Sequence, residues 1–292
     1  MRFVAVLWFA TCATFCIATS TVARAVEITD DRGTLLSFAQ PPKRIVSMLP
    51  SLSESVCALN QCQRLVGVDR YSNYPDELKS LPKLGGGMDP NIEAIVALKP
   101  DLVLVAGSSR FIEKLETLGL KVVALETKNH ADVKRVLRVL GSLFAVPDAQ
   151  GADRLWRVID SSVAAASQSL SARAKTARVY FEASPGPYAA SEASFIGETL
   201  NRLGVKNVVP ARLGPFPLLN PEYVVRANPD VIMIGNRSMV HAQAYPGWKS
   251  LKAVQGKQVC VFSDDEADVL VRPGPRMAEA ARLMAKCLQA YE

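Results

Sequence analysis

The sequence predicts an α/β protein of two similar lobes joined by a long, rigid helix, and three observations carry that prediction. Short all-apolar runs alternate with amphipathic stretches along most of the chain, the pattern of strand and helix on a mainly parallel sheet. One phrase is written twice. Residues 93–105 read EAIVALKPDLVLV and residues 222–234 read EYVVRANPDVIMI, each opening on Glu, with Pro-Asp further on and a Gly (Gly107, Gly235) after the apolar run. Between the copies, residues 147–175 carry no strand signal and keep helical spacing through Leu155, Val158, Ile159, Val163 and Ala166. The expected organisation is therefore 1–25 as an export segment, 26–146 as the first lobe, 147–175 as the connecting helix and 176–292 as the second lobe.

The elements follow in chain order. Met1-Arg2, the apolar run FVAVLWFATCATFCIA and the small-x-small site Ala23-Arg24-Ala25 read as a secretory signal peptide, so the mature chain begins at Val26. The apolar run is broken by Thr and Ser and is short for a bilayer span, and neither Cys12 nor Cys16 has a lipoprotein acceptor context. RIVSML is a buried strand ending in a Pro-Ser turn, with Ser51 and Glu54 placed to form a capping box on the next helix. LVGVDR is a second strand, followed by the turn-rich YSNYPDEL. In GGGMDPN, Asp89 is the expected N-cap and Pro90 the first residue of a helix over NIEAIVAL, which Pro100 ends. LVLVAG, apolar throughout, is a strand buried on both faces. FIEKLETLG is a helix, KVVALE a strand and ADVKRVLRVLGSLF a helix.

The stretch 147–175 could run on the order of 35–40 Å as one helix, a stiff connector rather than a loose linker. The second lobe restarts with ARVYFEA as a strand, SPGPYAAS as a loop, FIGETLNRLG as a helix closed by Gly204 and NVV as a short strand. The repeated phrase follows, capped by Asn220 with Pro221 at the first helical position. KQVCVF and PRMAEAARLMAKCLQA are the last strand and helix.

A composition of 49% apolar and 21% charged residues is globular. Removing Arg2 and Arg24 with the signal lowers the formal charge from +6 to +4, and the cations are not gathered in one block, which argues against a nucleic-acid partner. Cys57, Cys62, Cys260 and Cys287 remain, an even set that favours disulfides in an exported chain, with three connectivities open. Cys57–Cys62 would close a small loop after a helix, and Cys260–Cys287 would join the last strand to the last helix. Buried free thiols are the alternative. There is no CxxC, and neither His lies near these cysteines in sequence, so no metal site is expected. The absence of G-x-S-x-G, HExxH and a GK[ST] after the Gly run leaves an exported hydrolase poorly supported; no enzyme and no cofactor are expected. Glu93 and Glu222 both fall at a helix start, where the dipole favours an acid, and matched acids on two lobes suit a partner with two basic patches.

RIVSMLPSLSE, LVGVDRYSNYP, the Gly-rich stretch before NIEAIVALKPDLVL, NPEYVVRANPD and RPGPR together resemble the periplasmic solute-binding proteins of ABC importers. The class is the one with a rigid helical backbone that carries vitamin B12, haem and iron-siderophores, and the nearest likeness is to members that carry vitamin B12. The resemblance covers roughly Lys43 to Tyr291. It implies two Rossmann-like lobes with the ligand in the cleft between them, and a monomer that delivers a corrinoid or other metal chelate from the periplasm to a membrane permease. It also implies that Glu93 and Glu222 dock on the permease, and that Pro50, Ser51, Tyr71, Gly87, Tyr188, Phe216 and Arg272 line the ligand. Phe216 stands where the B12 binders have a tryptophan, and two more of their tryptophans correspond to Gly87 and Ala106, so the chelate is smaller, differently shaped, or packed by Tyr188. A haem relative would place Tyr or His in the loop that here reads GGGMDPN. A ferric siderophore would look to Arg70, Arg237, Arg272 and Arg276. Met88 is expected to pack, His130 to cap a surface helix, and His241 to sit in a loop facing the cleft.

Overall fold

The computed structural model describes residues 25–291. The chain opens with an antiparallel hairpin of Val26–Thr29 (β1) and Leu35–Phe38 (β2). Only Ile28 and Phe38 of it are buried, so no apolar run announces it. Ile45–Ser47 (β3) leads into Pro50–Ala58 (α1), Leu65–Val68 (β4), Ile92–Ala97 (α2), Leu102–Val105 (β5), Ile112–Thr117 (α3), Val122–Ala124 (β6) and His130–Leu143 (α4). The four strands form a parallel sheet in the order β4-β3-β5-β6. Alternate side chains serve opposite faces. Ile45, Leu102, Leu104 and Val123 pack under α1 and α4, while Val46, Val103, Val105 and Val122 pack under α2 and α3. This two-sided burial is why these strands read as unbroken apolar runs.

Helix α5 (Ala152–Gln168) is shorter than the stretch 147–175. At 17 residues it spans about 25 Å. The chain turns before it, with Gln150 and Gly151 both donating to the Pro147 carbonyl. Gly151 is required there, because a Cβ would lie 2.8 Å from Val146 and 3.1 Å from Leu59. Within α5, Ile159, Val163 and Ala166 lie in the second lobe's core, and Leu155 near its start packs against both cores. Helix α4 bridges the lobes, with Val133 and Leu137 in the second core and Val136, Leu140 and Leu143 in the first.

Arg178–Ser184 (β7), Tyr188–Ala189 (β8), Phe195–Leu203 (α6), Lys206–Asn207 (β9), Pro221–Ala227 (α7), Val231–Gly235 (β10) and Asn236–Ala242 (α8) come next. Lys252–Gln255 (α9), Val259–Phe262 (β11), Asp264–Val271 (α10) and Met277–Gln289 (α11) complete the chain. The second sheet runs β11-β10-β7-β8, with β9 also on β7; all pairs are parallel except β7–β8. The expected loop SPGPYAAS is therefore the turn and return strand of a hairpin. Gly186 supplies the φ of 127° that lets the chain double back. Helix α10 was not anticipated, although Ser263 and Glu266 form a complete capping box at its start.

Two helix starts differ from expectation. Leu49 is the N-cap of α1, with Pro50 inside the helix, so Ser51 and Glu54 make no capping box. Asn91, not Asp89, caps α2, its side chain accepting from Ala94 N. Cys57–Cys62 and Cys260–Cys287 are both disulfide-bonded. Among the described residues no helix is long and apolar enough to cross a membrane. The signal peptide expected over residues 1–25 lies, save for Ala25, outside the described residues.

Candidate functional site: exposed aromatics at the carboxyl ends of two sheets

In parallel sheets the loops leaving the carboxyl ends of the strands are the common place for a ligand. On the first sheet, the turn after β4 is set by Asp69, whose backbone N–H donates to the Ser47 carbonyl. Its carboxylate accepts from Tyr71 N at 2.9 Å and from the Ser72 hydroxyl. Burial pushes the Asp69 carboxyl up from the usual range, against those hydrogen bonds. The turn leaves Tyr71 58% exposed. Its ring lies 3.4 Å from where a Cβ of Gly86 would stand, so that glycine lets the ring approach the backbone of the Gly-rich loop. Arg70 spans the same loop, donating from N–H to the Gly85 carbonyl and pairing with Asp89. Gly87 faces open space, and Met88 is almost wholly exposed rather than packed.

On the second sheet the β7–β8 hairpin presents Tyr188, which pairs across a bridge with Leu218. Phe216 leans on Phe195 at 5.9 Å between centroids. Tyr188, Phe216 and Leu218 are all exposed. Large apolar side chains left in water at strand ends on both lobes mark a binding surface rather than a folding one.

Other expected ligand residues are placed differently. Arg272 is buried, and both terminal nitrogens of its guanidinium are committed. Nη1 donates to Glu54 Oε1 at 2.9 Å and Asn73 Oδ1 at 2.8 Å; Nη2 donates to the Tyr71 carbonyl at 3.0 Å and Asp268 Oδ2 at 2.6 Å. Arg276 adds a contact to Glu54 at 3.6 Å and lies 4.1 Å from the Tyr74 ring centroid. These residues come from both lobes, so Arg272 fastens one to the other. Ser51 is likewise buried, its hydroxyl without a partner, and Pro50 is half-buried at the start of α1. Sequence reading missed Glu54, Asn73 and Asp268 as members of this cluster. The available signal was a Glu inside an otherwise small and apolar helix.

His130 is not an exposed cap. It is buried, with Nε2 at 2.9 Å from the Thr199 hydroxyl and Nδ1 accepting from Arg202 at 3.2 Å, and burial lowers its pKa. His241 is exposed on α8 rather than in a loop. Among the described residues no group of His, Cys, Asp and Glu could hold a metal ion. Glu93 and Glu222 occupy equivalent places, each exposed, two residues after a capping Asn (Asn91, Asn220).

The sequence profile of the family described as "Periplasmic binding protein" matches residues 45–266. YvrC, an ABC transporter substrate-binding lipoprotein of Bacillus subtilis, is 29% identical over 277 residues, 90% of this chain and 85% of its own length. The vitamin B12-binding protein of Vibrio cholerae is 27% identical over 263 residues, 87% of this chain and 92% of the relative. The crystal structure of the Vibrio cholerae periplasmic vitamin B12 binding protein BtuF superposes with a TM-score of 0.70 at 26% identity, covering 86% of this chain and 98% of that one. A periplasmic haem-binding protein of Pseudomonas aeruginosa shares the fold, with a TM-score of 0.70 at 24% identity over 85% of this chain and 93% of that one.

Proposed function

Because this chain belongs to the periplasmic binding protein family, we propose that it is the solute receptor of an ABC importer, exported through its signal peptide, which captures a corrinoid metal chelate and delivers it to a membrane permease. It binds and hands over; it is not an enzyme. The observation that carries the ligand reading is the pair of exposed aromatic walls, Tyr71 on one lobe and Tyr188 with Phe216 on the other. Flat ring surfaces of this kind pack against a macrocycle, each burying on the order of 150–250 Å² when fully covered. The vitamin B12-binding relative of Vibrio cholerae supports the corrinoid among planar chelates. A haem reading has one observation in its favour, the exposed phenols of Tyr71 and Tyr188, since a Tyr oxygen is an established haem-iron ligand.

The buried Arg272 cluster supports a receptor whose lobes move little on binding. Glu93 and Glu222 support docking through one acid per lobe. The test is titration of the purified mature protein with cobalamin, cobinamide, haemin and ferric siderophores, followed by tryptophan fluorescence. Saturation by cobalamin, lost in Tyr71→Ala and Phe216→Ala, upholds the corrinoid reading; saturation by haemin or a siderophore alone replaces it.

A further inference from the structure

A concavity of about 400 Å3 opens at the carboxyl end of β5, beside the Gly-rich loop, lined by Gly87, Met88, Ala106, Ser108, Arg110 and Phe111 among others. Its base is apolar, with Phe111 buried and Ala106 half-buried. No side chain fills the space over Gly87, where a Cβ would meet nothing within 4 Å. The concavity adjoins the exposed Tyr71 ring through Gly86.

The charges at its edge are unequal in their commitments. Asp89 is held by Arg70 and by Gly86 N, and Glu126 Oε1 accepts from Ser108 N at 2.8 Å. Arg110 is exposed, and among the described residues its guanidinium has neither an ion pair nor a hydrogen bond. A planar fork of donors above an apolar base, with the Ser108 and Ser109 hydroxyls alongside, suits oxygens that carry negative charge.

We propose that this concavity is a subsite that takes an anionic arm, carboxylate or phosphate, projecting from the edge of the bound chelate. It rests on the ligand-binding reading above and adds that the chelate carries such an arm. Cobalamin has a phosphodiester that cobinamide lacks, and haemin has two propionates that its dimethyl ester masks, so these pairs separate the two sources of the anion. Dissociation constants are measured for both pairs with the wild type and Arg110→Ala.

Arg110→Ala weakens the member of the binding pair that carries the free anionic group about tenfold or more and its counterpart without that group less than twofold. If the two members of a pair respond alike to Arg110→Ala, or neither responds, the subsite is wrong while the receptor reading stands. If the wild type binds none of the four compounds, the corrinoid and haem readings fail and take the subsite with them.

Discussion

Glu182 faces inward from β7 and is buried. The Tyr180 hydroxyl donates to its Oε2 and the Tyr245 hydroxyl to its Oε1, both at 3.2 Å. Burial outweighs these bonds and raises the carboxyl pKa to about 7. An acid that binds its proton more tightly when folded stabilises the fold below its unfolded pKa of 4.5, and loses that contribution as pH rises through about 7. The loss is of the order of 3 kcal/mol. Denaturant unfolding at pH 5 and pH 8 should show this decline in the wild type and a flatter profile in Glu182→Gln; equal slopes in the two proteins would rule it out. The same hydrogen-bond chain reaches the site, because Gly186 N, two residues before the exposed Tyr188, donates to the Tyr245 hydroxyl. A charged residue in the strand ARVYFEA was visible in sequence. Its raised pKa was not, because that depends on burial that only the folded chain creates.

The repeated phrase specifies one element twice, more closely than the sequence reading had it. In each copy an Asn side chain caps the helix, Glu follows two residues later, and the helix ends on a residue of positive φ, Lys99 or Asn228, before Pro-Asp. Asp101 then accepts from the backbone N–H of Arg44, just before β3, and Asp230 from that of Arg178, at the start of β7. Those arginines return to carbonyls at the helix ends, Leu98 and Asn228. Proline tolerates several places around a helix start, which is why Asp89 and Ser51 looked like caps and are not. The disulfides also act on elements. Cys260–Cys287 closes a separation of 27 residues and staples α11 to β11, whereas Cys57–Cys62 closes only 5. On loop-closure entropy, replacing the first pair by Ala should cost about 3–4 kcal/mol and the second about 2. Denaturant midpoints of the two double mutants check the order, and a larger loss from Cys57/Cys62 would overturn it.

Across the whole molecule, the lobes are joined by a shared core along α4 and by the Arg272 cluster. Deleting Arg272 strands the Glu54 carboxylate, so Arg272→Met should destabilise by about 3–5 kcal/mol, and Glu54→Leu added to it should recover much of the loss. A single-mutant effect under about 1 kcal/mol in denaturant unfolding would mean that the cluster does not hold the lobes. Docking is the other property of this scale. On the proposed docking role, combining Glu93→Ala with Glu222→Ala should leave ligand affinity unchanged and reduce uptake in cells that depend on the proposed importer, because both acids are exposed at helix starts. Unaltered uptake would remove them from the permease contact.

The strand–helix alternation and the doubled phrase with its two acids could be read from residue order, because periodicity, capping and apolar runs act over a few positions; the disulfide pairing was only one of three connectivities. Which polar groups face the ligand could not be read that way. Arg272 looked like a cleft arginine until the fold brought Glu54, Asn73, Asp268 and the Tyr71 carbonyl around it from distant parts of the chain. Arg110 drew no notice until the space beside Gly87 proved open. Whether a charge is spent on its neighbours or left for a guest depends on three-dimensional proximity, and only the folded chain creates that.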